Sequence, residues 1–139
     1  LPGDEDGLNL AEKNPEYCAD VVKADGFIVI SPEYNHSFSG TLKRVLDMCP
    51  PKDYDHKAVA ACGVSSGSTG GARGIISLTN VFRRLGLSQI LPDLYFPNVG
   101  DLFDESGNLK DPSEYEEKLP MFLDNLVWMA KTLKAGRES

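Results

Sequence analysis

The sequence predicts a single α/β domain, residues 1–139, built around a parallel β-sheet. Two short apolar runs, residues 27–30 and 58–64, show no alternation of polar and apolar side chains, as expected of strands covered on both faces. A segment with apolar side chains at helical spacing follows each run, and this alternation of strand and helix is typical of parallel sheets. A length of 139 residues and an apolar content of 41% suit one domain with one core.

The first half of the chain contains two predicted helices and one predicted strand. The first helix begins at residues 14–16 (Asn-Pro-Glu) and ends at residues 25–26 (Asp-Gly). The first three residues supply a cap, a proline for the first turn and an acid at the positive end of the helix dipole. Strand 27–30 leads into the polar segment 31–40, SPEYNHSFSG, hereafter loop A. The second helix covers residues 41–49, because the two prolines that follow cannot continue it.

The second half of the chain again places a strand, a polar loop and a helix in succession. Strand 58–64 (AVAACGV) is followed by the glycine-rich segment 65–71 (SSGSTGG), hereafter loop B. A helix is then predicted over residues 72–85, with Gly86 placed to end it.

The last third of the chain gives weaker signals. Residues 89–95 predict a short strand, in which Pro92 indicates an edge or a bulge. Residues 97–112 predict an acidic surface excursion. A capping box at residues 113–116 predicts the start of the last helix, which Pro120 is expected to kink.

Composition excludes several classes of function. A net charge of −7 argues against a surface that binds nucleic acid or an anionic membrane, because both need clustered Lys and Arg. No apolar run is long enough to cross a bilayer. Cys18, Cys49 and Cys62 form no metal-binding pattern, and their odd number without a secretory signal predicts reduced thiols in a cytoplasmic protein.

Loops A and B together form the candidate functional site. Both follow predicted neighbouring strands, and the carboxyl ends of parallel strands meet at the edge of the sheet where ligands bind. Tyr34 offers an aromatic ring, while Asn35 and Ser37 offer donors and acceptors suited to a flat polar heterocycle such as the flavin pyrimidine ring. The glycines of loop B let the backbone approach such a ring closely, and the amides of the helix that follows favour negative charge.

These residues resemble the signature of the NADPH-dependent FMN reductases, a family that includes quinone, chromate and azo-dye reductases. Residues 32–37 match PEYN-x-S, and the pattern G-x-LK-x-x-x-D follows at Gly40, Leu42, Lys43 and Asp47. The second family pattern, G-x-S-x-G-x-x-GG-x-R, is matched at Gly63, Ser65, Gly67, Gly70, Gly71 and Arg73. Residues 103–109 also resemble the family's F-D-x-x-G-x-L segment, and the resemblance extends over residues 1–134.

The resemblance implies a flavodoxin-like three-layer sandwich that binds FMN and uses NADPH or NADH as hydride donor. It implies two-electron reduction of quinones or similar small electrophilic acceptors in a homodimer or homotetramer. Apart from the resemblance, the position of Trp128 and Met129 on the last predicted helix indicates core or subunit contacts. No catalytic side chain or metal is implied, because the flavin performs the chemistry. The residues expected to bind the flavin are Pro32, Glu33, Tyr34, Asn35, His36 and Ser37 on loop A, and Ser65, Ser66, Gly67, Gly70 and Gly71 on loop B.

The family's first strand, its phosphate-binding loop and its second strand have no counterpart in this sequence. We therefore expect the N-terminal strands of the fold to be missing from this chain and strand 27–30 to expose an apolar edge. The isolated chain is expected to bind FMN weakly or not at all.

Other interpretations of the same residues remain open. The alternative function is a non-enzymatic flavodoxin-type electron carrier, or a flavin-free protein acting through a partner. Ser65 lies in a G-x-S-x-G pattern, but neither His36 nor His56 follows it as the hydrolase order requires. His36 could instead stack near the flavin or face solvent. Glu33 could be a surface charge or a subunit contact, and Arg73 could bind the NADPH phosphate or form a local bond at the helix start.

Overall fold

The computed structural model describes Glu12 and residues 14–139, and its centre is a parallel sheet. Strand β2 is central: β1 pairs with one edge along its whole length, and β3 and β4 pair in parallel with the beginning and the end of the other edge. The strands are β1 (Gly26–Pro32), β2 (Ala58–Val64), β3 (Ser88–Gln89) and β4 (Leu94–Phe96).

Helices cover both faces of the sheet, as predicted for a three-layer α/β fold. Helices α1, α2 and α3 share a buried cluster on one face, and α5 packs on the other. The helices are α1 (Pro15–Lys23), α2 (Gly40–Leu46), α3 (Ala72–Leu85), α4 (Val99–Leu102) and α5 (Lys118–Arg137), with a 3-10 turn at Pro51–Asp53. Within the described residues, no helix has the length and apolar content needed to span a membrane.

The side chains of β2 contribute to two separate cores. Val59 and Ala61 lie in the core formed with α3, whereas Ala60 and Cys62 lie in the core formed with α5. Successive side chains of a strand point to opposite faces, so the absence of polar residues in β2 follows from the cover on both sides. The small side chains facing α5 leave room for Phe122, which is buried.

The outer edge of β1 is open in the described part of the chain. No described strand pairs with it, and Ile28 and Ile30 are 47% and 64% exposed. An apolar strand edge of this kind is the feature expected from the sequence, and it offers unpaired backbone groups to a further strand.

The C-terminal helix differs from its prediction at its start. Residues 113–117 form turns in which the Tyr115 amide donates to Pro112 O, and α5 begins only at Lys118. The buried Tyr115 ring stacks on Phe96 at 4.9 Å, which fixes these turns to the end of β4. Pro120 is the third residue of α5, where a missing N–H needs no partner, and the kink expected there stays a prediction.

The cysteines also differ from their prediction. Cys18 and Cys49 form a disulfide, so the expectation of three reduced thiols was wrong for this pair. Helix α1 and the end of α2 pack on the same face of the sheet, which brings the two Cα atoms to 5.6 Å, within the range a disulfide requires. Cys62 is free and buried, and this burial together with the nearby charge of Asp93 raises the pKa of its thiol to about 11.

Lys57 is a buried cation that holds the end of α1. Its Nζ donates to Val21 O at 2.7 Å and to Val22 O at 2.9 Å, and burial lowers its pKa. These carbonyls belong to the last turn of the helix, where no intrahelical donor remains for them. Lys57 therefore replaces a C-terminal cap from a different part of the chain.

We expect Lys57→Met to reduce the free energy of unfolding by about 2 kcal/mol, because it removes the donor from the buried Val21 carbonyl and the partly buried Val22 carbonyl while preserving most of the side-chain volume. Urea denaturation measures the change. Lys52→Met is the control, since Lys52 is exposed and close in sequence. Equal stability of the two variants would show that the bonds to α1 contribute nothing.

Candidate functional site

Loop A extends β1 and then reverses in a tight two-residue turn. The Glu33 amide donates to Val64 O at 3.1 Å, which continues the pairing with β2. The amides of Tyr34 and Ser37 then donate to each other's carbonyl oxygens at 2.8 and 3.0 Å. Asn35 and His36, the central residues, have φ of 50° and 65°, as in a type I′ turn. Loop A therefore presents these two side chains at its exposed tip.

His36 adopts a backbone conformation that glycine tolerates better, so we expect His36→Gly to stabilise the protein by about 0.5–1 kcal/mol. Thermal and urea unfolding measure this gain. Asn35→Gly is the matched control and should gain less, because asparagine already tolerates positive φ. A loss of stability in the His36 variant would mean that the imidazole makes a stabilising contact.

The second half of loop A joins the turn to α2. Phe38 packs against the core on the α3 side of the sheet. Ser39 Oγ accepts a hydrogen bond from the Leu42 amide at 3.2 Å and caps α2, which begins at Gly40. The turn of loop A is thus fixed at both ends, by β2 and by the core.

Loop B turns sharply between β2 and α3. Ser65 Oγ donates to Gly67 O at 2.9 Å, and the Ser65 amide donates to Phe96 O at 3.1 Å. The backbone after β4 supports the loop from behind, because the Asn98 amide donates to Gly67 O and the Val99 amide donates to Ser65 O, both at 3.0 Å. Sequence reasoning missed this third segment, for which Pro97-Asn98 directly after a strand was the available signal.

The glycines of loop B differ in their surroundings. A Cβ on Gly70 would lie 2.8 Å from Tyr95 Cβ, and one on Gly71 would lie 2.5 Å from Val64 N, so both positions are restricted by the protein's own packing. A Cβ on Gly67 would meet no atom within 4 Å. A ring therefore has space to approach the backbone at Gly67. Gly70 and Gly71, by contrast, are needed because the tight turn of loop B leaves no room for a side chain.

Loop A is linked to the first turn of α3, directly after loop B, by Glu33 and Arg73, which are 40 residues apart. Glu33 Oε2 accepts from the Arg73 amide at 3.2 Å, and Oε1 accepts from Arg73 Nη1 at 3.4 Å. Ser77 Oγ donates to His36 O at 3.4 Å. The Arg73 guanidinium thus contacts loop A and not a neighbour in sequence, and its binding to the NADPH phosphate stays a prediction. The first turn of α3 therefore has an anionic partner within the protein, the carboxylate of Glu33.

The predicted site residues all lie at the carboxyl edge of the sheet. Tyr34, Asn35, His36, Ser66 and Gly67 are exposed, while Gly70 and Gly71 are buried. The remaining members are partly buried: Pro32, Glu33, Ser37 and Ser65. Their assignment to a flavin stays a prediction.

The second histidine lies far from this edge. The His56 amide donates to Gly86 O near the beginning of β2, at the end opposite to loops A and B. Ser65 Oγ is engaged with a backbone carbonyl, and among the described residues it has no histidine partner. The hydrolase interpretation of the G-x-S-x-G pattern therefore finds no base in the structure.

The exposed residues at this edge are of the chemical types predicted to contact one side of a flavin ring. Tyr34 is 61% exposed beside the turn of loop A, and Gly67 opens to free space on loop B. Hydroxyl, amide and backbone groups surround these two positions, which suits a flat heterocycle with alternating donors and acceptors.

A three-layer fold with a parallel sheet and polar loops at its carboxyl edge is the architecture of the doubly wound α/β proteins, which include the flavodoxin-like fold. FerB, a flavoenzyme NAD(P)H:(acceptor) oxidoreductase from Paracoccus denitrificans, shares the flavodoxin-like fold of this chain, and the two structures superpose with a TM-score of 0.75. The superposition covers 94% of this chain and 76% of the FerB chain, at 22% sequence identity. Residues 3–101 match the family model of the NADPH-dependent FMN reductases. The chain belongs to the NADPH-dependent FMN reductase family.

Relatives named for related activities agree with the family. A probable NADPH:quinone oxidoreductase 2 from Oryza sativa subsp. japonica is 37% identical over 119 residues, which are 77% of this chain and 55% of the rice protein. An NADPH azoreductase from Bacillus sp. (strain OY1-2) is 31% identical over 90 residues, 62% of this chain and 51% of that protein. The chain thus spans about half the length of these two relatives.

Proposed function

We propose that this chain forms the flavin-ring site of an FMN-dependent NAD(P)H oxidoreductase that reduces quinones or similar small electrophilic acceptors by two-electron hydride transfer. The observation that carries the proposal is the contact of Glu33 on loop A with Arg73 of α3, which holds loop A beside the helix that begins directly after loop B. Family membership supports FMN and NADPH as the cofactors, and the names of the rice and Bacillus relatives support quinone-type or azo acceptors.

The protein residues would bind and orient, because the bound flavin supplies the hydride chemistry. Tyr34 would contact the ring from loop A, and Asn35 and Ser37 would provide polar contacts at its edge. Ser65, Ser66 and Gly67 would approach it from loop B. Pro32 directs the chain into loop A by fixing its backbone φ. No side chain is required as a nucleophile or as a general acid.

The test uses Gly67→Leu, which fills the free space at loop B without a steric conflict inside the protein. Backbone amide NMR shifts are followed during titration with excess FMN. We expect shifts concentrated in loops A and B of the parent and their loss in the variant, with unchanged Tm. Gly136→Leu is the matched control, because Gly136 is equally unhindered but lies near the end of α5. Shifts of the parent that lie outside loops A and B would refute the flavin site.

Turnover separates the reductase from the electron carrier. With excess FMN and a benzoquinone, the parent should consume NADPH or NADH in steady state, and Gly67→Leu should not. Flavin binding without nicotinamide consumption would favour a non-enzymatic carrier. Comparing the two nucleotides and comparing a quinone with an azo dye then determine the donor and the acceptor class.

We propose that the outer face of α5 forms the subunit contact of a homodimer or homotetramer. Trp128 is 64% exposed and Met121 is 52% exposed, and a spacing of seven residues places them on the same side of the helix. Met129, by contrast, packs against the core. Light scattering should give an oligomeric mass that Trp128→Glu lowers and Lys131→Glu on the same helix does not. A monomeric parent would contradict the proposal.

We also propose that the protein acts in the cytoplasm, where reduced nicotinamide nucleotides are available as donors. Fractionation of cells expressing the protein tests this location. Recovery with a secreted or organellar fraction would refute it.

A further inference from the structure

We propose that Glu33 is a positioning residue: its carboxylate fixes the N-terminus of α3 against loop A and thereby sets the distance between loops A and B. The proposal rests on the flavin-binding function proposed above and identifies a residue that holds the site without touching the ring. The family resemblance placed Glu33 at the flavin edge instead.

The position of Glu33 differs from that of its neighbours in loop A. Its side chain is only 9% exposed, whereas Tyr34 is 61% exposed. Both carboxylate oxygens face Arg73, one toward the backbone amide and one toward the guanidinium. Glu33 thus points into the contact between the two loops, and Tyr34 points away from it.

The backbone at the start of α3 needs a hydrogen-bond acceptor from another part of the chain. Arg73 is the second residue of the helix, so its amide has no carbonyl partner within the helix. A carboxylate satisfies this amide and interacts favourably with the positive end of the helix dipole. The guanidinium of Arg73 adds an opposite charge, which compensates for the partial burial of the carboxylate.

The other links between loop A and α3 involve no charged group. Ser77 Oγ reaches His36 O at 3.4 Å and also donates to Arg73 O at 3.0 Å, so it is not committed to loop A. A Cβ on Gly74 would lie 3.3 Å from Ser37 O, which indicates close packing without a directional bond. Glu33 provides charge-assisted hydrogen bonds, which are stronger than neutral ones. A binding site needs such support, because small displacements of its walls reduce affinity.

Two readouts test the proposal on Glu33→Ala and on the conservative Glu33→Gln. The first is the exchange rate of the Arg73 backbone amide, measured by NMR in the flavin-free chain. The second is the Kd of riboflavin, which presents the ring without the phosphate. Both readouts are measured at a temperature and pH at which circular dichroism shows that every variant is folded. Glu114→Gln is the matched control, since Glu114 forms an exposed ion pair with Lys118 in a different region.

We expect Glu33→Ala to accelerate exchange of the Arg73 amide and to weaken riboflavin binding by about tenfold or more, the equivalent of one charge-assisted hydrogen bond. Glu33→Gln should recover part of both losses, because its amide oxygen can still accept from the Arg73 amide. Glu114→Gln should change neither. Partial rescue by glutamine distinguishes positioning from a general loss of stability.

Two results would overturn the proposal separately from the proposed function. If the parent binds riboflavin and Glu33→Ala binds it equally well, Glu33 does not position the site. Unchanged exchange of the Arg73 amide in Glu33→Ala would refute the contact itself. If riboflavin and FMN bind the parent outside loops A and B, the proposed function fails, while the exchange rate of the Arg73 amide still tests whether Glu33 fixes the start of α3.

Discussion

Gly71→Ala is expected to lower Tm by about 10 °C or more, because it combines two costs. Gly71 has φ of 85°, a conformation that costs other residues about 1–2 kcal/mol. The added Cβ would also lie 2.5 Å from Val64 N and 2.9 Å from Gly63 Cα. These are backbone atoms of the central strand, which cannot rotate away, and overpacking of this kind adds about 1–3 kcal/mol. Differential scanning calorimetry measures the loss.

Gly107→Ala separates the two costs. Gly107 has nearly the same φ, 82°, but no atom lies within 4 Å of the position of a Cβ. This control should therefore lose only the conformational part, about 1–2 kcal/mol. If the two variants lose equal stability, the close approach of loop B to β2 in the structure is wrong.

Reduction of the Cys18–Cys49 disulfide is expected to decrease the free energy of unfolding by about 3–4 kcal/mol, from the chain entropy of the loop it closes. The two cysteines are separated by 31 residues, a segment that contains β1, loop A and α2. Urea denaturation with and without dithiothreitol measures the loss. Cys62→Ala serves as the background, so that no third thiol can exchange with the pair.

Thiol counting provides the control for this prediction. Before reduction, the native protein should react slowly or not at all with a thiol reagent near neutral pH, because the remaining Cys62 is buried and burial raises its pKa to about 11. After unfolding, one thiol should react without reductant and all three with it. Three reactive thiols in the unreduced, unfolded protein would show that the disulfide does not form.

Much of the fold could be predicted where the signal lies within a few residues of its effect. Strand 58–64 and helix 72–85 were predicted at the boundaries that the structure shows for β2 and α3, and Gly86 ends α3 as expected. Proline and asparagine marked the start of α1 for the same reason, since first-turn preferences are local. The parallel arrangement followed from the unbroken apolar strands.

The start of α5 was less predictable. The capping box at residues 113–116 is a local signal, but the stacking of Tyr115 on Phe96 holds this segment in turns. The weaker strand at residues 89–95 is divided into β3 and β4, and both still pair with β2. In both places, contacts with another part of the chain determined the backbone.

The sequence by itself determined the fold class, the family and the two loops, because periodicity and spaced motifs are properties of neighbouring residues. Only the tertiary structure decided that Glu33 faces Arg73, that Cys18 bonds to Cys49, and that the packing against β2 leaves no space for a Cβ on Gly71. The first two contacts join residues 40 and 31 positions apart. Such contacts depend on how strands and helices pack on each other, and no local pattern in one sequence records that packing.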